Sequence, residues 1–203
     1  MLQDVWFRIP DFGDRGTCNP CGTTESMEHI LVGCAQGTAN LVWRLAHESW
    51  NHEKYRWPRI SFGIALGSGT LTAIPHQPPG ENQTDPQVIP VERRGATRLL
   101  QILISEAMHL SWVLRCERVI QERTHTAQET EVRWYKAINR RLTEDKITAT
   151  KIKRRKHYTN LIKATWKNLL KKHSDLPDNW IKNSEVLVGR RAQRVMPIDD
   201  HAP

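Results

Sequence analysis

The chain is poor in the features that take a protein into or across a membrane. None of its 203 residues fall in an apolar run of eighteen, so no transmembrane helix is expected. The first residues, MLQDVWFRIP, lack a basic stretch followed by an apolar one, so no secretory leader is expected either. The implied setting is intracellular and reducing. Cysteine is scarce, with four in all, and in such a setting clustered cysteines bind metal more often than they pair as disulfides. Phenylalanine and tyrosine number three each, and hydrophobic residues only 38%; eight tryptophans offset this by the large area each can bury. No internal repeat and no stretch with the alternation of a strand is evident, which leaves a mainly α fold.

Acidic residues are nearly missing from one region. Residues 133–173 carry fourteen Lys and Arg against two acids, whereas the whole chain nets only +8. All of the excess basicity is thus concentrated in a 41-residue segment. Concentrated basicity suits a polyanion, so RNA or DNA is the expected partner of the 133–172 segment, with no small-molecule substrate and no membrane. The residues expected to meet phosphates are Arg140, Arg141, Lys151, Lys153, Arg154, Arg155, Lys156, Lys163 and Lys167. The run from Lys151 to Lys156 also reads as a nuclear import signal, which makes a nuclear location the matching expectation.

What the chain does have is a compact cluster, GTCNPCGTTESMEHILVGC, spanning residues 16–34. Its spacing is Cys18-x2-Cys21-x7-His29-x4-Cys34. Three thiolates and an imidazole form one of the standard tetrahedral zinc sets, and with all four positions filled by protein the zinc is structural, not catalytic. Asn19 and Pro20 favour the turn that brings the first two sulfurs together. Ser26 is the expected N-cap of a short helix carrying His29. Five steps of an α-helix leave His29 and Cys34 roughly 140° apart. The helix is therefore expected to stop between them, at a left-handed Gly33.

Beyond the cluster, GTANLVWRLAHESW, residues 37–50, reads as a helix with Leu41, Leu45 and Ala46 on one face. A second, short helix is expected with Pro58 in its first turn and Gly67 just past its end. Residues 67–92 hold five prolines and read as a long mobile loop. A helix from Arg94 to Arg123 is apolar on almost every face, as suits a central buried element. Two more follow, over 127–147 and 158–172, with Trp134 and Trp166 in their apolar stripes. The expected organisation is a zinc module (1–66), the loop (67–92), a basic three-helix unit (93–173) and a tail (174–203) that is disordered past Gly189. Glu106 and His109 read as a buried polar pair, and Cys116 as a small packing residue.

These features together are similar to the reverse-transcriptase zinc-binding domain found at the C-terminal end of LINE-like retrotransposon polyproteins. The motifs that carry the resemblance are VWFRIP, CNPC and ESMEHILVGC, with RGATRLLQILISEAMHLSWVLRCERVI and WYKAINRRL matching the helical tail of fungal versions. The resemblance implies a zinc knuckle docked on helices, with Cys18, Cys21, His29 and Cys34 as ligands, and an accessory role in handling nucleic acid. It implies no catalysis here. The polymerase's paired aspartates and the carboxylates of ribonuclease H have no counterpart, since the one Asp-Asp pair, Asp199–Asp200, lies in the tail. The alternative is a remnant that serves only as a structural or protein-interaction scaffold.

Overall fold

In a computed structural model the described residues are Trp6, 8–77, 89–152, 155–170, 176–177, 179–183 and 186–188. Five α-helices account for most of them: α1 Thr38–Ser49, α2 Phe62–Leu66, α3 Val91–Ile120, α4 Ala127–Lys151 and α5 Arg155–Trp166. Among the described residues there is no sheet, only three isolated bridges. The fold is mainly α, as expected.

The long helix α3 is the axis of the molecule. Leu99, Leu100, Ile102, Leu103, Ile104, Ala107, Leu110 and Leu114 are all buried and cover most of its circumference. Such a helix is stable only when other elements surround it, and α1, α4 and α5 do so. Each fully buried Leu or Ile in this core contributes roughly 1.5–3 kcal/mol. Trp134 of α4 and Trp166 of α5 are both completely buried, so the core reading of these two tryptophans holds. Their ring nitrogens find partners inside: Trp134 Nε1 donates to Ser49 Oγ at 3.1 Å, and Trp166 Nε1 to Asp145 Oδ2 at 2.7 Å. Asp145 also receives both ends of the Arg98 guanidinium at 2.5 Å. One buried carboxylate thereby ties α3, α4 and α5 together.

Helix α5 approaches α3 closely at Gly95. A Cβ at that position would sit 2.6 Å from the backbone carbon of Ala164, closer than atoms can pack. Glycine is required there to let the two helices touch backbone to side chain. Beside the contact, Arg94 Nη1 lies 3.0 Å from His157 Nε2.

Several boundaries differ from expectation. Helix α2 is capped by Ser61, whose hydroxyl accepts from Ile64 N–H at 3.3 Å, so it starts four residues beyond Pro58. Helix α3 begins at Val91, behind Pro90, because proline supplies the extended N-cap backbone. It ends at Ile120, three residues before the expected Arg123. The first part of the 67–92 stretch is packed: Ala73 is fully buried, its carbonyl accepts from Arg93 Nε at 3.2 Å, and Tyr55 pairs with Pro75. The rest, 78–88, lies outside the described residues. Helix α4 opens with a reciprocal capping box between Thr126 and Glu129 and runs to Lys151, beyond the expected Ile147. Helix α5 ends at Trp166, and Leu170 then pairs with Val188 of the returning chain.

That returning chain buries Trp180, Ile181, Val186 and Val188 in the main core. Lys146 holds it by donating to the carbonyls of Asn183 at 2.8 Å and Val186 at 2.7 Å. Burial lowers the Lys146 pKa, so this lysine of the basic segment is an internal clamp, not a surface cation. The expected disorder past Gly189 falls outside the described residues.

Candidate metal centre

Cys18 and Cys21 sit on a tight turn. Cys18 N–H donates to Thr23 O at 2.8 Å, while the N–H groups of Cys21 and Gly22 both point back at Cys18 O, at 3.3 and 2.7 Å. Closing this turn takes a left-handed residue, and Gly22 supplies it with φ +71°. A bridge between Thr17 and Thr24 seals the base.

The second half is built differently from expectation. Ser26 does cap it, accepting from His29 N–H at 3.0 Å. From His29 to Gly33, however, the chain winds as a π turn, with Cys34 N–H donating to His29 O at 3.0 Å. An i→i+5 bond places the fifth residue above the first, as the fourth residue lies in an α-helix. The x4 spacing is thus met by widening the turn, not by breaking it. Gly33 has no positive φ, and a Cβ there would make only ordinary contacts, the nearest 3.5 Å from Glu28 O. The tighter position is Gly37, where a Cβ would lie 3.1 Å from Cys34 Sγ. Ile30 and Leu31 pack inward from the π turn while Met27 stays exposed. Trp43 Nε1 donates to the Leu31 carbonyl at 2.6 Å, fixing the turn against α1.

The four side chains converge. Cys18 Sγ lies 3.6 Å from Cys34 Sγ, Cys34 Sγ 3.8 Å from Cys21 Sγ, and Cys21 Sγ 3.3 Å from His29 Nε2. All four donor atoms fall within 4.8 Å of one another, and they can hold a metal ion. A tetrahedron with metal–sulfur bonds of about 2.3 Å has sulfur–sulfur edges of about 3.8 Å. The observed edges fit that figure, and they are far beyond a disulfide's length of about 2.05 Å.

The electrostatics divide the thiols. Burial pushes Cys18 up to about 12, reinforced by hydrogen bonding with Cys21 and Cys34. Cys21 is pulled down to about 6, chiefly by hydrogen bonds from the side chain and backbone of Thr23. A dication bound here must displace the proton of Cys18, so metal loading releases protons.

Sequence reasoning missed the groups that seat the knuckle on α3. Glu25, only 1% exposed, accepts from Arg115 Nε at 2.8 Å and from Arg115 Nη2, and lies 3.4 Å from Arg118 Nη2. Arg115 Nη2 also reaches Arg15 O at 3.2 Å. The one available signal was an arginine embedded in the apolar run SWVLRC.

The residues expected to meet phosphates fall into separate groups. Arg140 and Arg141 of α4 flank the buried Glu106 carboxylate at 3.4 Å each, and both also approach Glu144. Glu106 is therefore paired with these arginines, and His109, its supposed partner, is exposed. Lys151 is exposed at the end of α4. Lys153 and Arg154 lie outside the described residues, as does the side chain of Arg155. Lys156, Lys163 and Lys167 follow one stripe of α5 and its continuation, spaced seven and four residues apart. Lys156 and Lys167 are exposed and Lys163 is half-buried. Cys116 is half-buried in α3.

Among the described residues no helix is long and apolar enough to cross a membrane. Compared with known protein families, curated proteins and solved structures, the chain gives no match.

Proposed function

We propose that the protein is a zinc-stabilised, non-catalytic nucleic-acid-binding module. Zinc is the ion of choice because three sulfurs and one imidazole at tetrahedral spacing match its borderline-soft preference, and because the set is closed to substrate. The likeness of the cluster and the helical tail to the reverse-transcriptase zinc-binding domain supports the same reading. The observation that carries the nucleic-acid part is the stripe of Lys156, Lys163 and Lys167 along α5 and its continuation, exposed at Lys156 and Lys167. Regularly spaced ammonium groups on one rigid face gain affinity for a phosphate backbone by releasing its counterions.

The test is binding of short RNA and DNA duplexes to the full zinc-loaded chain across a salt series. Each phosphate contact contributes about −0.9 to the slope of log K against log salt on B-DNA, so replacing the three lysines by glutamate should flatten the slope by about 3. Salt-insensitive binding, or none at about 50 mM salt, defeats the reading. A scaffold role is the second reading. It is favoured by the pairing of Arg140 and Arg141 with Glu106 and Glu144, which takes two of the nine expected cations into internal ion pairs. Under that reading all four binding curves coincide at the baseline.

A further inference from the structure

The metal cluster is not sealed against α3. Cys18, His29 and Cys34 share a small cavity with Ser111, Arg115 and Arg118, with about 10 Å³ open to the centre of a water molecule. That is close to the space one ordered water requires. Two polar atoms of α3 are buried without a partner: Ser111 Oγ, on a side chain 1% exposed, and Arg118 Nε. Ser111 does not return its hydroxyl to a carbonyl of its own helix, the usual resort of a buried helical serine. Arg118 uses Nη2 on Glu25, which leaves Nε uncommitted. Unpartnered buried polar groups are rare, and where they cluster beside a void an ordered water is the usual explanation.

The other side of the cavity supplies acceptors. Cys18 and Cys34 are both buried, and as metal-bound thiolates they would be negatively charged acceptors cut off from bulk water. Three thiolates and a neutral imidazole around a dication leave one net negative charge. An arginine nitrogen and a hydroxyl facing that charge through one molecule of water form a matched set.

We infer that one ordered water fills this cavity, accepting from Arg118 Nε, sharing a hydrogen bond with Ser111 Oγ and donating to a metal-bound sulfur of Cys18 or Cys34. Ser111 and Arg118 are thereby positioning residues of the metal centre. The inference rests on the metal reading of the four-ligand cluster. Outer hydrogen bonds of this kind hold ligands in place and draw electron density from sulfur, and their loss weakens metal binding by about 10- to 100-fold.

The experiment uses the full chain and its Ser111→Ala, Arg118→Met and doubly substituted forms. Zinc affinity is read by competition with a chromophoric chelator, and the cobalt-substituted proteins are read by absorption. Each single substitution should weaken zinc binding about tenfold. Because both groups bind the same water, the double substitution should weaken it little further. The sulfur-to-cobalt charge-transfer band should move to lower energy in every variant, a shift that general loosening of the fold does not produce. Ser111→Ala touches no other described partner, so if Arg118→Met fails to fold, Ser111→Ala alone decides. Unchanged affinity and band position in Ser111→Ala, or losses that simply multiply in the double variant, overturn the water bridge while leaving the metal site standing. Failure of the unsubstituted chain to bind any metal overturns both.

Discussion

At the scale of single residues, two glycines near the metal cluster make opposite predictions. Gly37→Ala puts a methyl 3.1 Å from Cys34 Sγ and should displace the sulfur, weakening zinc binding about tenfold, on the scale seen when a ligand's supporting contacts are disturbed. Gly33→Ala meets nothing closer than 3.5 Å and should leave affinity within about twofold. Equal losses in a chelator competition would contradict this assignment. The contrast shows what was legible in the sequence. The four clustered side chains, the Cys18–Cys21 turn and the Ser26 cap could all be read from residue type and spacing. The tight contact at Gly37 could not, because it arises from a sulfur that a later turn swings back over the chain. The π turn was hidden for a similar reason: an x4 gap excludes a regular α turn but does not say whether the chain widens or stops. Glu25 is a further case, since its role depends on a partner 90 residues away.

At the scale of elements, the crossing of α3 and α5 turns on Gly95. Gly95→Ala raises helix propensity by roughly 1 kcal/mol, yet its methyl would overlap the Ala164 backbone at 2.6 Å. Overpacking of this kind costs typically 1–3 kcal/mol, and with rigid backbone as the obstacle the upper part of that range applies. The expected outcome is net destabilisation in chemical denaturation, with metal binding intact because the cluster touches the other half of α3. A stabilised variant would show that the helices can separate without loss. Helices α1, α3, α4 and α5 were legible because their apolar periods are long. Their ends were less so. Pro90 and Ser61 capped helices in ways that proline and serine counts alone do not specify, and α5 stops four residues before a bridge from Leu170 to Val188 that no local pattern announces.

At the scale of the whole molecule, acid should loosen the helical bundle before it empties of hydrophobic contacts. Arg133 donates to both oxygens of Glu117, at 2.5 and 2.8 Å, which joins α4 to α3 and holds the Glu117 pKa below the usual carboxylate value. A lowered acid pKa contributes stability that is complete above the ordinary carboxylate range, about pH 4, and is lost as pH falls through the folded value. Glu117→Gln should cost about 2 kcal/mol at neutral pH and flatten the acid limb of the melting profile; an unchanged limb would place the acid sensitivity elsewhere. One helix also spans both candidate surfaces. Along α3, Gly95 meets the lysine-bearing helix and Arg115 meets the metal knuckle, 20 residues apart. At 1.5 Å per residue that is about 30 Å, nearly four screening lengths at physiological salt. A charge gained or lost at one end is screened from the other through solvent. The two sites should therefore behave as thermodynamic strangers: zinc affinity measured with and without saturating nucleic acid should agree within about twofold, a coupling free energy near zero.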